Sequence, residues 1–254
     1  LEARPEFCAR IAATPLLDKE KTDKALALLR TMSERILAFF SSPSNPDFAA
    51  IHVINLDRRR DRWESLLAAE PSLSTSATRH SAIDGKTLIL TPSLARLFEH
   101  NTFHWKKGVI GCNLSHRNVW SAIEQEATAS TTTYHLILED DVRFVPDWRI
   151  KWREAKPFIP ADADLLYLGG VLPPNRPALP HVLAPVNRHW AAIQPNTLFS
   201  STPAPLFHFC AYSYVLTPRG AAKLMNHLRH SKEKYYTVSD HMLGSPIISL
   251  TKYV

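Results

Sequence analysis

Short apolar runs that alternate with helical patterns are the feature of this sequence that most restricts its fold. IHVINL precedes the helical DRWESLLAAE, GCNLSHRNVWSAIEQEA precedes YHLILEDD, and DLLYLGG is followed by AYSYVL and the helical PRGAAKLMNHL. Strands that alternate with helices of about ten or more residues are typical of an α/β fold with a mostly parallel, doubly wound sheet. Such sheets bind ligands beyond the carboxyl ends of their strands. We therefore expect functional residues directly after the strands.

The beginning of the chain has a different pattern. Apolar residues recur there at helical spacing and predict one amphipathic helix: Ala25, Leu28, Leu29, Met32, Ile36 and Phe39. SSPSNPD follows, with the prolines and small polar residues of a linker. The sequence thus predicts an N-terminal helical extension with its linker over residues 1–47 and an α/β domain over residues 48–254.

Composition narrows the class of protein. The chain has 254 residues, 45% of them hydrophobic, which is enough for a full core and excludes disorder throughout. Its net charge of +6 suits an anionic partner, without separating nucleic acid from nucleotide, phosphate or a membrane surface. No apolar run approaches the roughly 18 residues of a membrane span. Cys8, Cys112 and Cys210 form no CxxC pair, although one bridge between Cys112 and Cys210 remains open.

Three consecutive carboxylates, Glu139, Asp140 and Asp141, follow the apolar residues of LILEDDVRF. Side chains alternate along a strand, so Glu139 and Asp141 are expected on one side. Like charges at one point repel unless a cation lies between them, and oxygen donors suit Mg²⁺ or Mn²⁺. The alternative is a solvated turn, or pairing with Arg143 or Arg149.

An arginine cluster follows the first strand, in NLDRRRDRW. Arginine presents a rigid set of donors that matches phosphate, and a helix start adds unpaired N–H groups. The four residues Arg58, Arg59, Arg60 and Arg62 could therefore hold a diphosphate. An ordinary basic surface is the equally simple alternative, and nucleic-acid binding lacks a recognition module.

Two further segments carry polar residues of chemical interest. In KKGVIGCNLSHRNVW, two glycines are expected to loosen the chain before a helix with Ser115 and His116. Neighbours on a helix point apart, which argues against a Ser–His nucleophile pair and favours His116 as a residue that satisfies a neighbour. In YTVSDHML, Asp240 could be a general base and His241 a metal ligand, or Ser239 or Asp240 could cap a short helix.

Taken in order, these segments resemble glycosyltransferase family 25, which includes bacterial lipooligosaccharide galactosyltransferases and procollagen galactosyltransferases. The resemblance rests on VINLDRRRDRW, AIDGK, GVIGCNLSHRNVW, LILEDDVRF, DLLYLGG, AYSYVLTPRGAAKL and VSDHML. It implies a GT-A type fold with a Rossmann-like sheet. It also implies an inverting, metal-dependent transfer of galactose or glucose from a UDP-sugar to a hydroxyl of a glycan or glycoprotein acceptor, with no nucleic-acid partner.

The resemblance also assigns roles to residues. It implies that Glu139, Asp140 and Asp141 form the metal-binding acidic motif for Mn²⁺ or Mg²⁺, to which His241 could add a ligand on the ground of its residue type. Asp240 is expected to be the base that deprotonates the acceptor. The resemblance also implies nucleotide contacts or a place in the donor pocket for a larger set: Asn55, Asp57, Arg58, Arg62, Asp84, Ser115 and His116.

Some features depart from the family pattern. Residues 171–205 are rich in proline and leave the acceptor open, and the short stretch after VSDHML leads us to expect a domain that is incomplete on its C-terminal side. The alternative function is therefore an inactive GT-A-like domain that binds a glycan or protein partner. The family works in the secretory lumen of eukaryotes and at the inner membrane face of bacteria, and the sequence does not decide between them.

Overall fold

The computed structural model describes residues 47–126, 133–169, 183–193, 211–232, 234–235, 243 and 250–253. The helix predicted before Phe40 lies outside these ranges. The strands are β1 Ala50–Asn55, β2 Ala77–Ser81, β3 His135–Glu139, β4 Leu165–Tyr167, β5 Leu183–Pro185, β6 Ala191–Ile193, β7 Ser213–Leu216 and β8 Lys252–Tyr253. The helices are α1 Arg60–Ala69, α2 Leu73–Ser76, α3 Pro92–Leu97, α4 Lys107–Gln125, α5 Trp148–Ala155 and α6 Pro218–His230, with a 3₁₀ turn at Lys156–Phe158.

The described strands form one sheet in the order β2-β1-β3-β7-β4-β8-β6-β5. β1 pairs in parallel with β2 and β3, and β4 pairs in parallel with β8. β7 runs antiparallel to β3 and β4, and β6 runs antiparallel to β5 and β8. All described strands except β6 and β7 therefore point the same way, which confirms the predicted α/β fold with a mostly parallel sheet.

Helices cover both faces of the sheet because its central strands are apolar on both sides. Ile137 and Tyr214 pack in one core with α4 and α6, which contribute residues such as Trp120 and Leu224. Leu138 packs in the other core with Leu66 of α1 and Trp152 of α5. Alternate residues of a strand thus serve opposite cores, as the period of two requires. We call the two sides the α4 face and the α5 face.

Close backbone packing fixes the start of α4 against the loop after β2. A Cβ on Gly111 would lie 2.4 Å from the carbonyl oxygen of Ile83, and one on Gly85 would lie 2.3 Å from that of Lys107. Only glycine allows this approach. The expectation that glycines loosen the chain before the helix is therefore wrong, because α4 begins at Lys107 and Gly111 packs tightly within it.

None of the helices in the described ranges combines the length and apolar character that a bilayer crossing requires.

Candidate functional site

A cleft of about 520 Å³ opens beyond the carboxyl ends of β1 and β3, beside the first turns of α4. Parallel strands bring their carboxyl ends to one edge of the sheet, which is where the sequence predicted function. Many of the predicted residues line this cleft together: Arg58, Arg62, Asp84, Ser115, His116, Glu139 and Asp140. Lys86, Lys107 and Cys112 also line it, although none of them was predicted as a site residue.

Two predicted residues, Asn55 and Asp57, do not line the cleft but form hydrogen bonds next to it. The Asn55 amide, buried at the end of β1, donates to Asp140 Oδ2 (2.7 Å), while its oxygen accepts from Arg79 Nε (2.8 Å). Asp57 accepts from Arg79 Nη2 (2.8 Å) and from the Ser81 hydroxyl. The hydrogen bond from Ser81, with that from Arg79, lowers the pKa of Asp57. Arg79 on β2 thus ties both residues in place.

The arginines of the cleft are held by carboxylates. Arg58 Nε donates to Asp84 Oδ2 (2.5 Å), and this bond lowers the pKa of Asp84. Arg62 Nη1 donates to Asp140 Oδ1 (2.8 Å) and to Asp141 Oδ2 (3.1 Å). The hydrogen bond to Asp140 raises the pKa of Arg62. The basic residues are therefore part of an ordered ion-pair network at the cleft, and the cleft combines both signs of charge.

The acidic triplet separates into different environments. β3 ends at Glu139, whose Oε1 lies 3.1 Å from His116 Nε2. Asp140 and Asp141 lie in the following turn and share Arg62, so strand alternation does not pair Glu139 with Asp141 as expected. Burial, followed by the charges of Glu139 and Asp140, raises the pKa of Asp141 against the effect of Arg62. The negative charge of Asp141, whose side chain is 44% exposed, is therefore less stable than that of an isolated carboxylate.

The metal-ligating atoms of the triplet do not form a close group. Within the described ranges, the side chains whose ligand atoms all lie within 4.8 Å of one another are Cys112, His116 and Glu139. Cys112 carries an exposed thiol, so the bridge to Cys210 considered from the sequence is not formed. Asp240 and His241 lie outside the described residues, and their assigned roles stay predictions.

His116 is the buried centre of a hydrogen-bond network that ends in the cleft. Its Nδ1 lies 2.9 Å from the Tyr214 hydroxyl, which also accepts from Trp120 Nε1 (2.8 Å). Burial opposes a charge on the ring, but Tyr214, Cys112 and Glu139 outweigh it and raise the pKa of His116 well above its ordinary value. When both ring nitrogens are protonated, Nε2–H donates to Glu139 and Nδ1–H donates to the Tyr214 hydroxyl. The network therefore orients the Glu139 carboxylate.

Ser115 has a structural role in the same helix. Its hydroxyl donates to the Gly111 carbonyl (2.7 Å) and accepts from the Ile83 amide (2.8 Å). These bonds join α4 to the loop before Gly85 and use the hydroxyl fully, in agreement with the rejection of a Ser–His nucleophile pair.

Tyr214 and Trp120 were missed by the sequence interpretation. Trp120 follows His116 by one helical turn, so a shared helix face was visible in the sequence. Tyr214 lies on β7, which is far from His116 in the sequence, so no local sequence pattern predicts the contact between them.

Comparison with known proteins places the chain in a family. It matches "Glycosyltransferase family 25 (LPS biosynthesis protein)" over residues 48–243. It is 32% identical over 140 residues to the human inactive glycosyltransferase 25 family member 3, covering 50% of this chain and 22% of the relative. It is 30% identical over 141 residues to human procollagen galactosyltransferase 2, covering 50% and 22%.

A third relative is the procollagen lysyl hydroxylase and glycosyltransferase of Acanthamoeba polyphaga mimivirus, 27% identical over 192 residues that cover 69% of this chain and 19% of the relative. These alignments span about a fifth of each relative's length. The family match covers most of the chain and includes every described residue of the cleft, so the chain belongs to glycosyltransferase family 25.

Proposed function

We propose that this chain is a metal-dependent, inverting hexosyltransferase with a GT-A type fold. It would move galactose or glucose from a UDP-sugar to a hydroxyl of a glycan or glycoprotein acceptor. The observation that carries the proposal is the cleft beyond β1 and β3, where arginines and lysines meet Glu139 and Asp140, with Asp141 next to them in the chain. The procollagen galactosyltransferase among the relatives favours galactose as the first donor to test.

The cationic side chains of the cleft suit a diphosphate. The bonds from Arg58 Nε and Arg62 Nη1 to carboxylates occupy one nitrogen of each guanidinium. A guanidinium has five N–H groups, so both arginines keep further donors for phosphate oxygens. Lys107 already donates from Nζ to the Leu88 carbonyl (3.0 Å), which holds its charge at the cleft. These residues would bind and orient the donor.

The acidic triplet supplies carboxylate oxygens of the kind that a divalent cation needs, although its three members do not form one close group. Mg²⁺ and Mn²⁺ at such sites need only one or two carboxylates, with water and phosphate oxygens completing the shell. Asp141 and Glu139 would hold the ion, because burial and then the charges of Glu139 and Asp140 raise the pKa of Asp141, and a nearby cation would offset both effects. When bound, the metal would neutralise charge on the departing UDP. Asp240 remains the proposed base for the acceptor hydroxyl.

The test is UDP release from UDP-galactose and UDP-glucose, with and without Mn²⁺, in the presence of glycan and hydroxylysine-containing peptide acceptors. We expect Mn²⁺-dependent release that Asp141→Asn reduces strongly. Asp147→Asn is the matched control, because this exposed aspartate lies outside the cleft at a positive φ that asparagine tolerates. Equal release by wild type and Asp141→Asn would contradict the metal assignment.

Binding without transfer is the second candidate function. Relatives described as inactive and the dispersed acidic triplet favour it. Calorimetric binding of UDP, combined with no sugar transfer from any donor to any acceptor tested, would support this non-catalytic role. Transfer of one sugar would reject it. Asp240→Asn then tests the proposed base: this variant should lose sugar transfer while it retains UDP binding.

A further inference from the structure

Three different metal-ligating groups meet in the wall of the donor cleft. Cys112 and His116 lie one turn apart on α4, and Glu139 ends β3 opposite them. One ligand atom from each lies within 4.8 Å of the other two. Residues four apart share a helix face, so the thiol and the imidazole are directed to one place by the helix itself. The cluster therefore joins sulfur, nitrogen and oxygen donors at one point.

This donor set differs in kind from the acidic triplet. Thiolate and imidazole select Zn²⁺ and similar ions, whereas carboxylates and phosphate suit Mg²⁺ and Mn²⁺. Three protein ligands with room for a water or substrate oxygen are the pattern of an open zinc site. The His116 Nε2 to Glu139 Oε1 distance of 3.1 Å is close to the separation of two ligands around one tetrahedral ion.

The surroundings of His116 also match a metal-binding histidine. Such a residue usually engages its second ring nitrogen in a hydrogen bond, which fixes the ring. His116 Nδ1 lies 2.9 Å from the Tyr214 hydroxyl, and Trp120 Nε1 donates to the same oxygen. The His116 side chain is 1% exposed, whereas the Cys112 thiol is exposed and gives an ion access from the cleft.

We propose that Cys112 Sγ, His116 Nε2 and a Glu139 oxygen form a second metal site in this cleft, selective for Zn²⁺ over Mn²⁺. Binding would release the thiol proton of Cys112 and the Nε2 proton of His116, while the Nδ1 proton faces Tyr214. Zinc bound to Glu139 would compete with the proposed Mn²⁺ site for the same carboxylate. Zinc would therefore inhibit transfer, a consequence that rests on the proposed function, whereas zinc binding does not.

Co²⁺ is the probe for the site, because thiolate ligation gives it a near-ultraviolet charge-transfer band. The full chain, reduced and freed of metal, would be titrated with Co²⁺ and then with Zn²⁺. We expect the band to appear, to disappear on zinc addition, and to be absent in Cys112→Ser, with a loss of Co²⁺ affinity of roughly tenfold or more. The control is a Cys8→Ser/Cys210→Ser double variant, which must keep the band.

Glu139→Gln provides a second, independent arm, since it keeps the thiol and should weaken zinc binding. Thermal unfolding of each metal-free variant identifies any that fails to fold. A charge-transfer band that persists in Cys112→Ser, or the absence of Co²⁺ binding by the wild type, would overturn the site. If the wild type shows no transfer even without zinc, the proposed function fails while the titration still decides the metal site.

Discussion

Among the described residues, two histidine networks lie on the α4 face of the sheet, and they differ because one lines the cleft beyond β1 and β3 and the other does not. The first is a chain of three rings from β1, β2 and β3: His52 Nδ1 lies 2.9 Å from His80 Nε2, and His52 Nε2 lies 3.2 Å from His135 Nδ1. The second joins His116 to Tyr214, Trp120 and Glu139. We call them the closed network and the cleft network.

The networks differ in the group at which they end. The closed network links imidazoles to each other, and one proton between each pair satisfies both rings. Glu126 Oε2 lies 3.8 Å from His135 Nδ1, which is too far for a hydrogen bond. Burial, with His80 and His135, lowers the pKa of His52 to about 3. The cleft network ends at Glu139, a partly exposed carboxylate that lines the cleft. Histidine alone thus does not mark a functional site; its last partner does.

The largest expected effect comes from removing the charge at the end of the cleft network. Glu139→Gln keeps the size of the side chain and should lower transfer about 100- to 1,000-fold. Initial rates at saturating UDP-galactose and Mn²⁺ measure it, with Glu124→Gln at the far end of α4 as the control. Normal transfer by Glu139→Gln would contradict the prediction and would mean that the cleft network, like the closed network, has only a structural role.

The next largest effect should come from the centre of the closed network. His52 is only 3% exposed. His52→Ala would therefore open a buried cavity and leave the rings of His80 and His135 without their hydrogen-bond partner. We expect a loss of about 2–3 kcal/mol in the free energy of unfolding, and a transfer rate within about twofold of normal. Urea unfolding checks it, with exposed His100→Ala as the control. A large loss of transfer without a loss of stability would contradict this prediction, because it would give the closed network a role in function.

Tyr214→Phe tests whether the cleft network positions Glu139. It removes the oxygen beside His116 Nδ1, and such supporting contacts are worth about 10- to 100-fold, of which we expect the lower part. The effect should appear in the KM for Mn²⁺, with the KM for the donor unchanged. Tyr253→Phe, which loses a bond to Asp162, is the matched control. Equal changes in both KM values would indicate general disturbance instead.

The smallest effect is the pH dependence from the closed network. The folded pKa of His52 is below its ordinary value of 6.5, so the neutral ring contributes fully above pH 6.5 and its contribution falls as pH drops toward 3. His80 and His135 are also lowered by burial, against the charge of Glu126. By pH 5 the loss is up to about 2 kcal/mol. His52→Gln should flatten this dependence in urea unfolding; an unchanged slope would contradict it.

Much of the fold followed from local patterns in the sequence. β1, β3 and β7 are apolar runs, and α6 begins where Thr217 caps Pro218–His230, its hydroxyl accepting from the Gly220 amide. β2 was missed because Ala77–Ser81 is a polar edge strand with little alternation. Its position beside β1 depends on long-range pairing, which no local signal encodes.

The cleft could be predicted better than the geometry within it. The carboxyl ends of β1 and β3 bring Arg58 and Glu139 to one cleft, and helix α4 adds His116, whose place there was implied only by the family resemblance. The directions of the three carboxylates could not be predicted, because β3 stops at Glu139 and the alternation rule ends with the strand. The closed network could not be predicted either, because its histidines come together only through the register of β1 with β2 and β3.

The glycine contact at the start of α4 has a consequence for how such a cleft can diversify. Gly85 and Gly111 let the two backbones touch directly, so the distance between the walls depends on this backbone contact and on the Ser115 hydroxyl that joins them. Side chains that project into the gap, such as Cys112 and Asp84, can therefore be exchanged while the spacing stays constant. Backbone contacts therefore set the width of the pocket, whereas the lining side chains set its chemistry. A substitution in the lining can change the ligand that the pocket accepts without changing its width.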